Sequence, residues 1–152
     1  MPEFEIRAVP LQDTAVLRRR CAPDAISATM GEAFATLVAA ISRTGAIPAG
    51  PVFARYFDFG GDALDFECGA AVSAPFPGDG DVTASHVGGC EAAVGVHVGP
   101  YDTLHETSGA VLAWVAAQGR TPSGPMWEVY LTDPEQEPDP SKWQTEIYWP
   151  VA

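Results

Sequence analysis

Gly45-Ala-Ile-Pro48-Ala-Gly50-Pro51-Val-Phe53-Ala-Arg-Tyr56-Phe57 and Gly119-Arg-Thr-Pro122-Ser-Gly124-Pro125-Met-Trp127-Glu-Val-Tyr130-Leu131 carry one pattern, G-x-x-P-x-G-P-x-[FW]-x-x-Y. The fixed proline φ and the permissive glycine stop a helix and throw the chain into a strand. A second strand candidate follows each copy, Leu64 to Val72 in the first and Trp143 to Val151 in the second. A helix-like stretch precedes each. Repetition over such a period is sought before local structure is read, because it sets the architecture.

The helices follow from spacing. Ile26, Met30, Phe34, Leu37, Val38 and Ile41 fall at steps of three and four, with Asp24 as the expected N-cap and Gly45 as the stop. In the second copy Leu104, Val111, Leu112 and Val115 form the stripe, Thr103 and Glu106 have capping-box spacing, and Gly119 ends the helix. Strands are expected before each helix, over Thr14 to Cys21 and Ala93 to Val98, with further extended segments at Phe4 to Val9 and near Asp81 to His86. Each half therefore reads β-α-β-β. Ser73 to Asp81 is the expected joint, so the chain is one domain of two repeats, about 1–74 and 80–152, and Asp133 to Pro140 reads as a solvated hairpin loop. The fold class is α+β: a pseudo-twofold antiparallel sheet with two long helices on one face and a ligand groove on the other, along the axis between the halves.

Composition narrows the function. The 152 residues are 47% hydrophobic and 18% charged, enough for the core of one globular domain. Twenty acidic against eight basic residues give a net charge of -12, which argues against direct nucleic-acid binding or an anionic membrane surface and favours cationic small molecules. No apolar run approaches the roughly 20 residues of a membrane helix. The amino end lacks a basic and then apolar leader, so a cytoplasmic location is expected. Cys21, Cys68 and Cys90 are odd in number, lack C-x-x-C spacing and read as small core residues.

Strand alternation supplies the candidate site. In Trp127 to Leu131, Trp127, Val129 and Leu131 share one face, and Glu128 and Tyr130 the other; in the last strand Ile147 and Trp149 separate from Glu146 and Tyr148. With the apolar sets turned to the helices, the remaining face carries Glu128, Tyr130, Glu146 and Tyr148, joined by Tyr56 and Glu67. Carboxylates flanked by phenol rings attract flat organic cations. An exposed Glu-x-Tyr face is also an ordinary wet surface. Trp127 and Trp143 serve core packing or ligand stacking. His97 and His105, with Asp102 and Glu106 nearby, have no recognised metal spacing, so no metal or other cofactor is expected. Ser85-His86 lacks a nucleophile elbow. Arg18-Arg19-Arg20 reads as a salt-bridged surface.

Gly99-Pro100-Tyr101 before a helix, then Gly124-Pro125-x-Trp127-Glu128-Val129-Tyr130, an Asp-Pro loop and Thr145-Glu146-Ile147-Tyr148-x-Pro150-Val151, closely resemble the GyrI-like small-molecule-binding domain. The resemblance covers the whole chain, more specifically in its second half. It implies a tandem β-α-β-β fold whose central aromatic pocket holds a buried glutamate for cationic, lipophilic aromatics. Position by position, Glu128 falls on the strand of the family's pocket glutamate, and Glu146 and Tyr148 match its terminal-strand acid and tyrosine. Activator members carry a helix-turn-helix region ahead of this domain. Here none precedes Phe4, so the chain is expected to be the sensor part alone, acting by itself or through a protein partner. Two other functions are implied. One is a hydrolase opening electrophilic cyclopropane rings of DNA-alkylating natural products, with Glu128 or Glu146 as acid or base and Tyr130 or Tyr148 bonding the developing oxyanion. The other is a protein inhibitor of the gyrase-inhibitory type.

Overall fold

The computed structural model describes residues 4–58, 63–133 and 136–152. It contains the strands β1 (Glu5–Val9), β2 (Gln12–Cys21), β3 (Pro48–Asp58), β4 (Leu64–Val72), β5 (Thr83–Val87), β6 (Cys90–Val98), β7 (Trp127–Tyr130) and β8 (Gln144–Pro150), and the helices α1 (Ile26–Thr44) and α2 (Leu104–Ala117). The fold is α+β, and the described pairings are all antiparallel. Of the expected hairpin loop, Pro134 and Glu135 lie outside the described residues.

Two compact units emerge: Leu11–Gly88, and Gly89–Ala152 together with β1. In the first unit the strands run β3-β4-β2-β5; in the second they run β7-β8-β6-β1. The first strand of each repeat is thus flanked by a short outer strand, β5 or β1. Their registers agree to the residue. Phe53 lies opposite Gly69 and Arg55 opposite Glu67; at the matching places Trp127 lies opposite Tyr148 and Val129 opposite Glu146. The duplication read from the Gly-Pro turns therefore extends to the register of the ladders that follow them.

In the first unit α1 packs Ala33, Leu37, Ala40 and Ile41 against Ala15, Leu17, Phe66, Cys68 and Val72. Full burial of side chains such as Leu17, Leu37 and Phe66 stabilises this core by about 1.5–3 kcal/mol each. In the second unit Val111 and Val115 of α2 pack on Ala93 and Val151, joined by Phe4, Ile6, Trp114 and Trp149. Gly95 allows that contact: a Cβ there would lie 2.7 Å from the Phe4 ring and 2.9 Å from Val111.

Several helix details differ from expectation. Val38 is 54% exposed and Leu112 is also exposed, because each lies at the solvent edge of its stripe. Asp24 sits inside a 3-10 turn (Pro23–Ala25), and Ala25 holds the N-cap position. Thr103 is at the N-cap of α2 without capping it, since its hydroxyl donates to the Pro100 carbonyl at 3.0 Å. Gly45 ends α1 in the left-handed conformation, φ 74°. By length and composition alone Pro23–Thr44 is long and apolar enough to cross a membrane, its most apolar 18-residue window having a mean hydropathy of 1.4; its buried stripe packs on the β2–β4 sheet. Cys21, Cys68 and Cys90 are free thiols, of which Cys68 is in the core.

Candidate functional site

Directly opposed residues of an antiparallel pair share a face. Glu128 opposes Ile147 and Tyr130 opposes Thr145, while Trp127 opposes Tyr148 and Val129 opposes Glu146. The face bearing Ile147 and Trp149 is the one turned to α2: Trp149 packs with Val111 and Val115, and its indole N–H donates to the Ser108 carbonyl. Glu128 and Tyr130 therefore lie on the α2 side, and Trp127, Glu146 and Tyr148 on the other. This corrects the single acidic face expected from alternation, which needed a register one residue away. The first unit splits likewise. Tyr56, opposite Phe66, joins the α1 core, while Glu67 is on the far side opposite Arg55.

On the α2 side Glu128 is 7% exposed and accepts a hydrogen bond from the Tyr130 hydroxyl at 2.9 Å. The Tyr101 ring meets Tyr130 edge-on at 5.6 Å and lies over Trp143 at 4.8 Å. Trp143 is fixed by its indole N–H, which donates to the Glu137 carbonyl at 2.7 Å. Burial raises the Tyr101 phenol pKa, and the Asp133 and Glu128 carboxylates raise it further, so its ring stays neutral beside the acid. Tyr101 belongs to the 3-10 turn Tyr101–Thr103, which buried His97 pins. One ring nitrogen of His97 lies 2.6 Å from the Thr107 hydroxyl and the other 3.0 Å from the Pro100 carbonyl. A carbonyl only accepts, so Nε2 is the nitrogen that donates here. The result is a buried carboxylate among three aromatic rings, an arrangement that attracts cations through charge and ring faces together.

The opposite face of the same unit holds a second constellation. Trp127 and Tyr148 stack at 4.8 Å with parallel planes, 1° apart. The Tyr148 hydroxyl donates to Glu146, whose other oxygen lies 3.9 Å from the Arg7 guanidinium. Burial, reinforced by the Glu146 carboxylate, holds the Tyr148 phenol protonated far above its ordinary range. The corresponding positions of the first unit are structural: Phe53 lies across Gly69, and Arg55 donates twice to Glu67, at 2.9 and 2.6 Å. Arg18, first of the basic run, is paired with Asp65 at 2.7 Å and lies 3.9 Å over the Phe57 ring.

The candidate residues thus divide into Glu128, Tyr130 and Trp143 on one face, Trp127, Glu146 and Tyr148 on the other, and Tyr56 and Glu67 in the other unit. The sequence reading left Tyr101, His97, Arg7 and Arg55 out of the site. Tyr101 had a signal: aligned on the helix starts, it takes the place of Pro23, and a large ring in a helix-leading turn has no packing need in the first repeat. No group of three His, Cys, Asp or Glu among the described residues could hold a metal ion.

A duplicated β-α-β-β chain of this register, with a buried acid bonded to one ring of a three-ring aromatic cluster, has the build of a small-molecule-binding domain. The model of the GyrI-like small molecule binding domain matches residues 2–152, and the chain belongs to that family. Its fold is similar to the EcmrR C-terminal domain, at 20% identity and TM-score 0.84, covering 100% of this chain and 98% of that one. In a solved EcmrR–DNA complex the chain corresponds to 57% of the EcmrR chain. A hydrolase from Listeria innocua shares the fold at 17% identity and TM-score 0.70, covering 99% of this chain and 92% of that one. A protein solved bound to tetraphenylphosphonium shares it at 14% identity and TM-score 0.62, covering 99% and 94%. No curated protein sequence matches the chain.

Proposed function

We propose that the chain binds planar, lipophilic aromatic cations at the cluster of Glu128, Tyr130, Tyr101 and Trp143. One observation carries this reading: the acid-aromatic cluster exists in only one of two otherwise matching repeats. Where the second repeat has Glu128, Tyr130, Trp143 and Tyr101, the first has Ala54, Tyr56, Leu64 and Pro23. There Tyr56 and Leu64 pack against an apolar core containing Phe66. The fold is satisfied by the apolar version, so a buried carboxylate at Glu128 answers a demand other than folding. Tyr101, 37% exposed, is the ring an incoming ligand meets first. The fold neighbour bound to tetraphenylphosphonium, a lipophilic cation, supports the ligand class. The net charge of -12 adds long-range attraction for cations and opposes direct contact of these residues with nucleic acid. Fluorescence titration with a cationic xanthene dye and a neutral analogue tests the reading, with micromolar affinity expected for the cation alone.

The Tyr148–Glu146 pair favours a second reading. A protonated phenol held by a carboxylate beside a stacked Trp127 ring is a donor set for ring-opening hydrolysis of an electrophilic cyclopropane. In that step water forms a bond to the strained carbon and the ring C–C bond breaks. Its electron pair passes to the conjugated carbonyl oxygen, toward which the Tyr148 hydroxyl turns from Glu146, while Glu146 takes the proton from water and passes it on to that oxygen. A ring-opened product, 18 mass units heavier and abolished in Glu146→Gln, is the readout; recovery of intact compound contradicts it.

A further inference from the structure

Thr145 stands in the middle of the proposed site, between Tyr130 and His97 on the strands to either side. Its side chain is fully buried at 0% exposure, and its hydroxyl has no hydrogen-bond partner. It shares the α2-side face with Tyr130, directly opposite on one neighbouring strand, and with His97, directly opposite on the other. Trp143 is two residues before it, and the Tyr101 ring bridges Tyr130 and Trp143. The polar groups around it are engaged elsewhere: the Tyr130 hydroxyl with Glu128, the Trp143 indole with Glu137, and the His97 nitrogens with Thr107, Pro100 and Thr103. A buried hydroxyl without a partner costs stability, and a valine would fill the same space without that cost. The matching residue of the first repeat, Phe66, is apolar.

We infer that Thr145 is the hydrogen-bonding floor of the site and that the cluster selects aromatic cations bearing N–H groups over fully alkylated ones. The inference rests on the cation-binding reading and sharpens it. Glu128 supplies charge and the rings supply stacking to either kind of cation; the Thr145 hydroxyl accepts only from a ligand that carries a donor.

The experiment compares two xanthene methyl-ester dyes of one skeleton, one with unsubstituted exocyclic amino groups and one with the same groups dimethylated. Affinities are measured for the full chain, Thr145→Val and Thr145→Ser. The expected result is a loss of about tenfold for the N–H dye in Thr145→Val, no change for the dimethylated dye, and retention of the preference in Thr145→Ser. Equal losses for both dyes in Thr145→Val would make Thr145 a packing residue and overturn the inference. Unchanged affinities for both would assign the hydroxyl to water and overturn it as well. If both dyes bind the unaltered chain with Thr145 playing no part, cation binding stands alone; if neither binds, the underlying reading falls and the inference with it.

Discussion

Replacing Glu128 by Gln removes one charge and almost no volume, and keeps an oxygen to accept from Tyr130. A cation centred about 4 Å from the carboxylate gains about 4 kcal/mol of Coulomb attraction at an effective dielectric of about 20. Desolvation of both charges takes back part of this, leaving about 1–3 kcal/mol, the range of a charge-assisted contact. The dissociation constant of a cationic dye should therefore rise about 5- to 150-fold, while that of a neutral analogue of the same shape stays within about twofold. Isothermal titration at low and moderate salt provides the assay. Because Glu128 is 7% exposed, salt should weaken the wild-type cation preference less than it would for a surface carboxylate. Thermal unfolding gives the control, since neutralising a buried acid should leave the midpoint unchanged or raised. An unchanged ratio of cation to neutral affinity in Glu128→Gln, with the fold intact, would refute the electrostatic reasoning.

Three further outcomes follow from packing and charge in the first unit. In Gly69→Ala the new Cβ would lie 2.3 Å from the Phe53 ring, so the variant should lose about 2–3 kcal/mol in urea denaturation, and Phe53→Leu in the same chain should recover part of it. Arg55→Ala leaves the buried Glu67 carboxylate without its guanidinium partner and should cost about 3–5 kcal/mol, whereas Arg55→Met with Glu67→Gln should recover most of that loss. Burial pushes the Cys68 thiol from 9.0 up to about 12, so the unfolded chain ionises first. Stability is full below the unfolded value and should fall at up to about 1.4 kcal/mol per pH unit as the pH rises from there toward the folded value. Cys68→Ala should flatten the first part of that limb, before Tyr148 begins to add a slope of the same sign.

The sequence carried the architecture because its signals are local. Gly45 and Gly119 stop helices by adopting φ of 74° and 73°, and the Gly-Pro pairs after them start strands whatever the rest of the chain does. Parity within each strand was equally legible. What alternation cannot supply is the relation between two strands. β7 ends at Tyr130 and β8 begins at Gln144, and the register between them puts Trp127, rather than Glu128, across from Tyr148. One residue of register moved Glu128 and Tyr130 to the helix side and divided one expected site into two constellations. Alternation alone gives Glu67 the look of a ligand acid; cross-strand pairing sets Arg55 opposite it and makes it an ion-pair partner. Thr103 failed as a cap because its hydroxyl is taken by Pro100 and His97. The repeats themselves held the better guide to function. Setting Glu128 against Ala54 and Tyr101 against Pro23 shows where the second copy departs from what the fold alone requires.

The central claim is the place where a cation binds, and a crystal structure of the chain with a brominated cationic aromatic dye tests it directly through the bromine anomalous signal. The account predicts a peak beside Tyr101 and Trp143, with the ligand's positive group facing Glu128. A peak confined to the Trp127–Tyr148 face, with none at Glu128, would contradict it.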